Sequence, residues 1–117
     1  MGEETTINTN GKEIPVDNEG FLLDPDHWDQ DVALTLADTI DIHMTDEHWE
    51  IVHWVRDYFE TWQKTPEARH LLKELKQRHG KDKGTRRYVY DLFPYGYGQQ
   101  ACKIAGLRKP LKLLLDL

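Results

Sequence analysis

The sequence predicts a single, mainly α-helical domain over residues 1–117: a small helical bundle with a helix-turn-helix-like pair, an N-terminal β-hairpin and a C-terminal arm. Three observations predict this fold. Apolar residues recur at helical spacing in successive segments, Asn10-Gly11 has the composition of a hairpin turn, and residues 107–117 lack a helical period. We expect residues 1–9 to be a frayed N-terminus. A chain of this length can be stable with one hydrophobic core and no disulfide.

Asn10-Gly11 lies between two short runs that contain Ile7 and Ile14. Both central residues of a tight type I′ turn need positive φ angles, which Asn and Gly adopt readily. Pro15 has no amide hydrogen to donate, so the second run is suited to the edge of a sheet. The sequence therefore predicts a small two-stranded hairpin.

Five helices are predicted after the hairpin, over residues 29–39, 46–62, 66–79, 85–93 and 99–105. Thr45 is a favourable N-cap for the second helix. Thr65-Pro66 has the residues expected at the start of the third helix, and Gly80 is suited to end it. The second helix carries an apolar stripe that we interpret as core: Trp49, Val52, Val55, Phe59 and Trp62.

Charge is divided unevenly along the chain. Residues 1–63 carry 2 basic and 16 acidic side chains, whereas residues 64–87 carry 9 basic and 3 acidic ones. The basic region overlaps the helix-turn-helix-like pair and could contact DNA phosphates or an acidic partner protein. The alternative is that the two halves neutralise each other within the fold. The candidate binding residues are Lys73, Lys76, Arg78, Lys81, Lys83, Arg86, Arg87, Arg108 and Lys109.

The sequence argues against a membrane protein and against a metal or cofactor site. No apolar run approaches the ~20 residues of a membrane span and no secretory signal is present, so we expect a cytoplasmic protein without a membrane partner. The histidines lack the His-x-x-x-His spacing that places two ligands on one helical face, and we predict neither a metal site nor a cofactor. His48 is expected to cap and pack the second helix. We interpret Asp46, Glu47, Glu50 and Asp57 as solvated carboxylates rather than an acid/base pair.

Cys102 is the single cysteine. It lies near the start of the last predicted helix and next to Lys103, where the helix dipole and a cation lower the pKa of a thiol. On this interpretation it accepts a persulfide, forms a mixed disulfide or links a homodimer. The alternative is a small packed residue among Ala101, Ile104 and Ala105, without reactivity.

Several stretches follow one another in a distinctive order: Asn10–Ile14, Glu19–Leu22, Trp28, Met44–Trp49, Val55–Asp57, Thr65-Pro66, Arg87–Pro94, Cys102–Leu107 and Lys109-Pro110. In this order and spacing they resemble the DsrC/TusE family of small sulfur-relay proteins. The resemblance spans residues 10–112, and its combined motifs are specific.

The resemblance implies a helical protein with a mobile C-terminal arm whose tip cysteine carries sulfur. In TusE the sulfur moves towards 2-thiouridine in tRNA, and in DsrC the arm works with dissimilatory sulfite reductase. By this resemblance the tip cysteine falls at Leu113, and Cys102 matches the second cysteine to which the tip can bond. Leucine can neither hold nor transfer sulfur.

We therefore expect a variant without independent catalysis that binds relay proteins or sulfite reductase as an accessory or regulatory component. Two alternatives remain. One is a residual sulfur carrier that uses Cys102, and the other is a DNA-binding regulator that uses the basic region 64–87.

Overall fold

Helices make up most of the structure, a computed structural model that describes residues 5–110. The elements after the hairpin are a 3-10 turn Pro25–His27, α1 Gln30–Thr39, α2 Asp46–Trp62, α3 Ala68–His79, α4 Arg86–Leu92, a π-helical turn Tyr97–Ala101 and α5 Cys102–Ile104. The predicted fold class, a small mainly helical bundle with a hairpin, is confirmed. Within the described residues, no helix is long and apolar enough to cross a membrane.

The hairpin pairs β1 (Thr5–Thr9) with β2 (Lys12–Val16) in antiparallel register. Asn10 and Gly11 have φ angles of 53° and 82°, the left-handed values that the tight turn requires. All five residues of β1 are paired, so residues 5–9 of the segment expected to be frayed form a strand instead. This stretch has little apolar surface of its own, but pairing with β2 satisfies its backbone N–H and C=O groups and so holds it in place.

The hairpin packs against α1. Ile14 and Val16 of β2 are buried together with Val32 and Leu36 of α1. The side chain of Asp29 accepts a hydrogen bond from the Val32 amide at 2.8 Å and caps the helix. These contacts fix the position of α1 beside the main core.

The main core lies between α2, α3 and the C-terminal helical segment. Val52 and Val55 of α2 are fully buried in it, as the apolar stripe predicts, and Trp49 and Phe59 of the stripe are partly buried against it. Ile51, which the stripe did not include, is also fully buried. The expectation that Trp62 is also core is wrong, because its side chain is 61% exposed. The start of α3 stacks beside Tyr58, and Trp62 lies one turn further along α2, past that contact.

Local capping chemistry sets several helix ends as predicted. The Thr45 hydroxyl caps α2 and hydrogen-bonds to His48 Nδ1 at 2.7 Å. The other ring nitrogen of His48 lies 2.9 Å from the carbonyl oxygen of Leu92, so this histidine both caps α2 and joins it to α4. Gly80 ends α3 with a φ of 92°.

Two helix starts differ from prediction. α3 begins at Ala68 rather than Pro66, because the Pro66 carbonyl accepts a hydrogen bond from the Tyr97 hydroxyl at 2.6 Å and the chain turns into the helix two residues later. The last helical segment begins at Tyr97, two residues before the expected start at Gln99, and its first turn is π-helical. Both differences arise from contacts between segments that are distant in the sequence.

Candidate functional site at the root of the C-terminal arm

The chain is continuously buried from Gln100 to Leu107 and becomes exposed at Arg108 and Lys109. We call residues Ile104–Leu107 the arm root. Its three apolar residues, Ile104, Ala105 and Leu107, lie in the main core, and Gly106 is also buried. The polypeptide therefore passes from the core to the surface at Arg108.

Arg56 of α2 holds the arm root. Its Nη1 group donates to the carbonyl of Ala105 at 3.3 Å, and its Nη2 group donates to the carbonyl of Pro25 at 2.9 Å. The Nε group pairs with Glu60 at 2.8 Å. The residue is only 6% exposed, so these bonds offset the cost of burying a charge that would be unfavourable alone.

Trp28 also packs against the arm root. Its indole Nε1 donates to the carbonyl of Ile104 at 2.7 Å, and the guanidinium of Arg56 lies 4.9 Å from the centre of its ring. Gly106 has a φ of 77°, and a Cβ atom there would lie 2.3 Å from Trp28 Cδ1. Only glycine fits this position, because it needs both a left-handed backbone and the absence of a side chain.

Beyond the root, two basic residues attach the chain to the turn that follows β2. Arg108 Nε donates to the carbonyl of Leu23 at 3.2 Å, and the Lys109 ammonium pairs with Glu19. Hydrogen bonding to Glu19 raises the pKa of Lys109. The two predicted binding residues of this segment therefore make intramolecular contacts that hold residues 108–109 beside the segment after β2.

Cys102 lies behind the arm root and is fully buried. Burial raises the pKa of its thiol to about 12. The lowered pKa expected from the helix start is not found, since α5 has three residues and provides little dipole at this site. The surroundings match the packed, unreactive alternative, and a disulfide between two copies would require this segment to leave the core.

The basic residues predicted to bind a partner lie on α3, the turn after it and the start of α4. Two of them pair with α2: Arg78 contacts Glu50 at 3.2 Å, and Lys83 contacts Glu47 at 3.4 Å. The acidic and basic halves thus neutralise each other in part, as one interpretation of the sequence proposed. We call the remaining five residues the basic face; they are exposed and have no ion-pair partner within residues 5–110: Lys73, Lys76, Lys81, Arg86 and Arg87.

The carboxylates at the start of α2 are the acidic partners in these ion pairs. Hydrogen bonds from Tyr88 and Lys83 lower the pKa of Glu47. Glu50 is partly buried, which raises its pKa, but hydrogen bonds from His79 and Arg78 outweigh this effect and lower it. Both side chains are therefore ionised structural partners rather than an acid/base pair.

Sequence reasoning missed the roles of Arg56, Trp28 and Gly106 at the arm root. For Arg56 a signal was present. It follows Val55 and precedes Phe59 by three residues, so a charged side chain lies within the apolar stripe of α2. A cation on a buried helix face must have partners elsewhere in the fold, and here they are backbone carbonyls of distant segments.

Comparison with known proteins gives the family. The sequence matches the family described as DsrC-like protein over residues 8–114. The chain belongs to this family. It is 42% identical over 108 residues to the sulfurtransferase TusE homolog of Haemophilus influenzae, covering 92% of this chain and 99% of that protein. The sulfurtransferase TusE of Escherichia coli is also 42% identical, over 104 residues, with 89% and 95% covered.

Solved structures of DsrC have the same fold. The oxidized gamma-subunit of the dissimilatory sulfite reductase (DsrC) from Archaeoglobus fulgidus has a TM-score of 0.85 and 38% identity, with 92% of this chain and 97% of that chain covered. DsrC from Allochromatium vinosum has a TM-score of 0.84 and 41% identity, with 93% and 97% covered. In this DsrC-like protein, Trp28, Arg56 and Gly106 come from three separate stretches of the family resemblance and meet at the arm root.

Proposed function

We propose that this DsrC-like protein takes part in a sulfur relay by binding partner proteins, as an accessory or regulatory member that does not itself carry sulfur. Family membership supports the relay, since its relatives include proteins named sulfurtransferase TusE and the gamma-subunit of dissimilatory sulfite reductase. The burial of Cys102, the single cysteine of the chain, carries the second half of the proposal.

Sulfur transfer between proteins needs an accessible thiolate. A thiolate attacks the outer sulfur of a donor persulfide, a new S–S bond forms as the donor S–S bond breaks, and the donor leaves as a thiolate. Because burial raises its pKa to about 12, Cys102 is present at pH 7 as the neutral thiol, and the residue has no exposed surface. Leu113, the position of the family's tip cysteine by resemblance, lies outside the described residues, and its side chain offers no sulfur chemistry.

Two structural features support partner binding: the fixed arm root and the basic face. The arm root is fixed by Arg56 and Trp28, and Arg108 bonds to the carbonyl of Leu23, so the described part of the arm has a defined position. The basic face adds five exposed cations that suit an acidic partner surface. A family member with these surfaces and no reactive thiol would occupy a partner's docking site without delivering sulfur.

The test is binding and competition. Immobilised full-length protein is incubated with purified relay proteins of the TusE pathway and with dissimilatory sulfite reductase, and bound protein is quantified. We expect at least one of these partners to be retained, and excess of this chain to slow sulfur transfer by an ordinary cysteine-bearing relative. Arg87→Glu on the basic face should weaken retention more than Lys12→Glu on the hairpin, a matched charge reversal at an exposed site. Retention of none of the partners would reject the proposal.

The two alternatives give other outcomes. A residual carrier would gain one sulfur at Cys102 on incubation of the native protein with a persulfide donor. A DNA-binding regulator would bind DNA through the basic face with an affinity that falls steeply as salt increases. Docking on an acidic protein is favoured because α4, with two turns, presents only Arg86 and Arg87 at its start.

A further inference from the structure

A row of three aromatic side chains runs along the surface of α2 towards its C-terminal end. Trp54, Tyr58 and Trp62 follow one another at four-residue intervals, which places them on one side of the helix. The ring centres are 5.6 Å apart for the first pair and 6.4 Å apart for the second. The first two rings are partly buried, whereas Trp62 is exposed. We call these three residues the aromatic strip.

The strip lies on a helix with an excess of negative charge. α2 contains no lysine, a single arginine that is buried, and five carboxylates: Asp46, Glu47, Glu50, Asp57 and Glu60. Asp57 lies beside the strip, because it follows Trp54 by three residues and such residues are neighbours on a helix surface. It is exposed and has no ion-pair partner among residues 5–110. A partner that covers this surface would complement it best with positive charge.

Two other carboxylates of α2 show which group fits such surroundings. Each is paired with a cation that also lies over an aromatic ring, at 5.5 Å and 5.4 Å from the ring centre: Arg56 over Phe59 with Glu60, and Lys83 over Tyr88 with Glu47. In the aromatic strip the rings and a carboxylate are present, but no lysine or arginine of the described chain lies over any of the three rings. The strip therefore has the components of this arrangement apart from the cation.

The middle ring of the strip is held from the side of α3. The imidazole of His70 stacks on Tyr58, with 5.9 Å between the ring centres and 20° between the planes. A ring that is already fixed loses little conformational entropy when a ligand packs against it. The contact leaves Trp62 exposed at the end of the row, where a ligand can cover it.

We propose that the aromatic strip and Asp57 form a docking site for an arginine-bearing, basic segment of a partner protein. A guanidinium is planar and weakly hydrated, so it stacks on indole and phenol rings while its N–H groups donate to a carboxylate. Lysine supplies the same charge without the planar stacking or the paired donors. This partner has the opposite charge to the one that suits the basic face, so the docking site does not rest on the proposed function.

The experiment is a titration of the ¹⁵N-labelled full-length protein with a synthetic peptide in which three arginines alternate with glycines, at physiological ionic strength. We expect saturable shifts of the indole N–H signals of Trp54 and Trp62 and of the Asp57 amide. Two matched peptides carry lysine or the uncharged citrulline in place of arginine. The lysine peptide should bind about threefold more weakly, and the citrulline peptide should not bind.

Two pairs of variants test the assignment. Trp62→Ala should weaken binding of the arginine peptide about threefold to tenfold, whereas Tyr95→Ala, which removes an exposed aromatic ring elsewhere, should leave it unchanged. Asp57→Asn should weaken binding about threefold, whereas Asp91→Asn, a matched change at an exposed position of α4, should not. All four side chains are exposed, so each variant is expected to fold, and its dispersed amide spectrum checks this.

The proposal is overturned if the shifts do not saturate or are spread over the acidic surface without a focus at the strip. Equal affinities for the arginine and lysine peptides would also overturn it, because they would indicate general charge attraction. So would a folded Trp62→Ala variant that binds as tightly as the natural protein. Shifts of the Trp62 indole on dilution of the peptide-free protein would show that a second copy of this chain occupies the strip, and would reject a different protein as the partner.

Discussion

Replacement of Arg56 by methionine is the sharpest structural perturbation of the arm root. Methionine has a similar length and is apolar, so it keeps much of the packing against Trp28 and Phe59. It removes the donors that the carbonyls of Ala105 and Pro25 use. The variant therefore isolates the hydrogen bonds of the guanidinium from the volume of the side chain.

The magnitude follows from the partners that are lost. A hydrogen bond to a charged group contributes about 1.5–3 kcal/mol, and two backbone carbonyls lose such a donor. Part of this loss of stability is offset, because the variant no longer has to bury a charge on folding. We expect Arg56→Met to lower the free energy of unfolding by about 2–4 kcal/mol. Glu60→Gln removes only the half-exposed partner of Arg56 and should cost less than about 1 kcal/mol.

The assay is equilibrium urea unfolding followed by tryptophan fluorescence, with amide hydrogen exchange at the arm root as a local readout. Exchange at Ala105, Gly106 and Leu107 should accelerate in Arg56→Met more than exchange in the hairpin. A loss of stability below about 0.5 kcal/mol, or unchanged protection of the arm root, would show that Arg56 does not hold this segment.

The remaining predictions concern a glycine and an ion pair. Gly106→Ala places a Cβ 2.3 Å from Trp28 Cδ1 at a positive φ, and should lower the free energy of unfolding by about 2–4 kcal/mol. The control Gly11→Ala also has a positive φ but meets no atom within 4 Å; it should cost only about 1–2 kcal/mol, and equal losses in the two variants would contradict the steric argument. For Glu50, hydrogen bonds from His79 and a neighbouring arginine outweigh partial burial and lower the pKa in the folded state. Its contribution to stability is therefore fully present above the ordinary value of 4.5 and is lost as the pH falls through the lower folded pKa. Urea unfolding across the acid range should show the natural protein more stable than Glu50→Gln at neutral pH, with the difference narrowing in acid; a constant difference would refute the assignment.

The features that the sequence predicts well depend on local chemistry. Asn10-Gly11 forms the hairpin turn because the required φ angles belong to those two residues. Thr45 at the start of α2 and Gly80 at the end of α3 are also predictable, because a cap needs partners only three or four residues away. His48 could be expected to cap α2, although its second bond, to Leu92, could not be inferred from spacing.

The candidate site depends on contacts between distant segments. Cys102 follows a helical turn next to a lysine, a pattern that indicates a reactive thiol, yet tertiary packing buries it and raises its pKa. The bond from Trp28 to Ile104 joins residues that are 76 positions apart, and no local pattern predicts it. The bond from the Tyr97 hydroxyl to the Pro66 carbonyl likewise joins residues that are 31 positions apart, just before α3, and no local pattern predicts it.

The central claim is that this protein lacks an accessible sulfur acceptor. The most direct measurement is mass spectrometry of the native chain after incubation with a persulfide donor, beside a Leu113→Cys variant that also carries Cys102→Ser. We predict that the natural chain gains no sulfur while folded and that the variant gains one atom at residue 113. Sulfur found on Cys102 of the folded natural chain, at a rate comparable to that of the variant, would contradict the account.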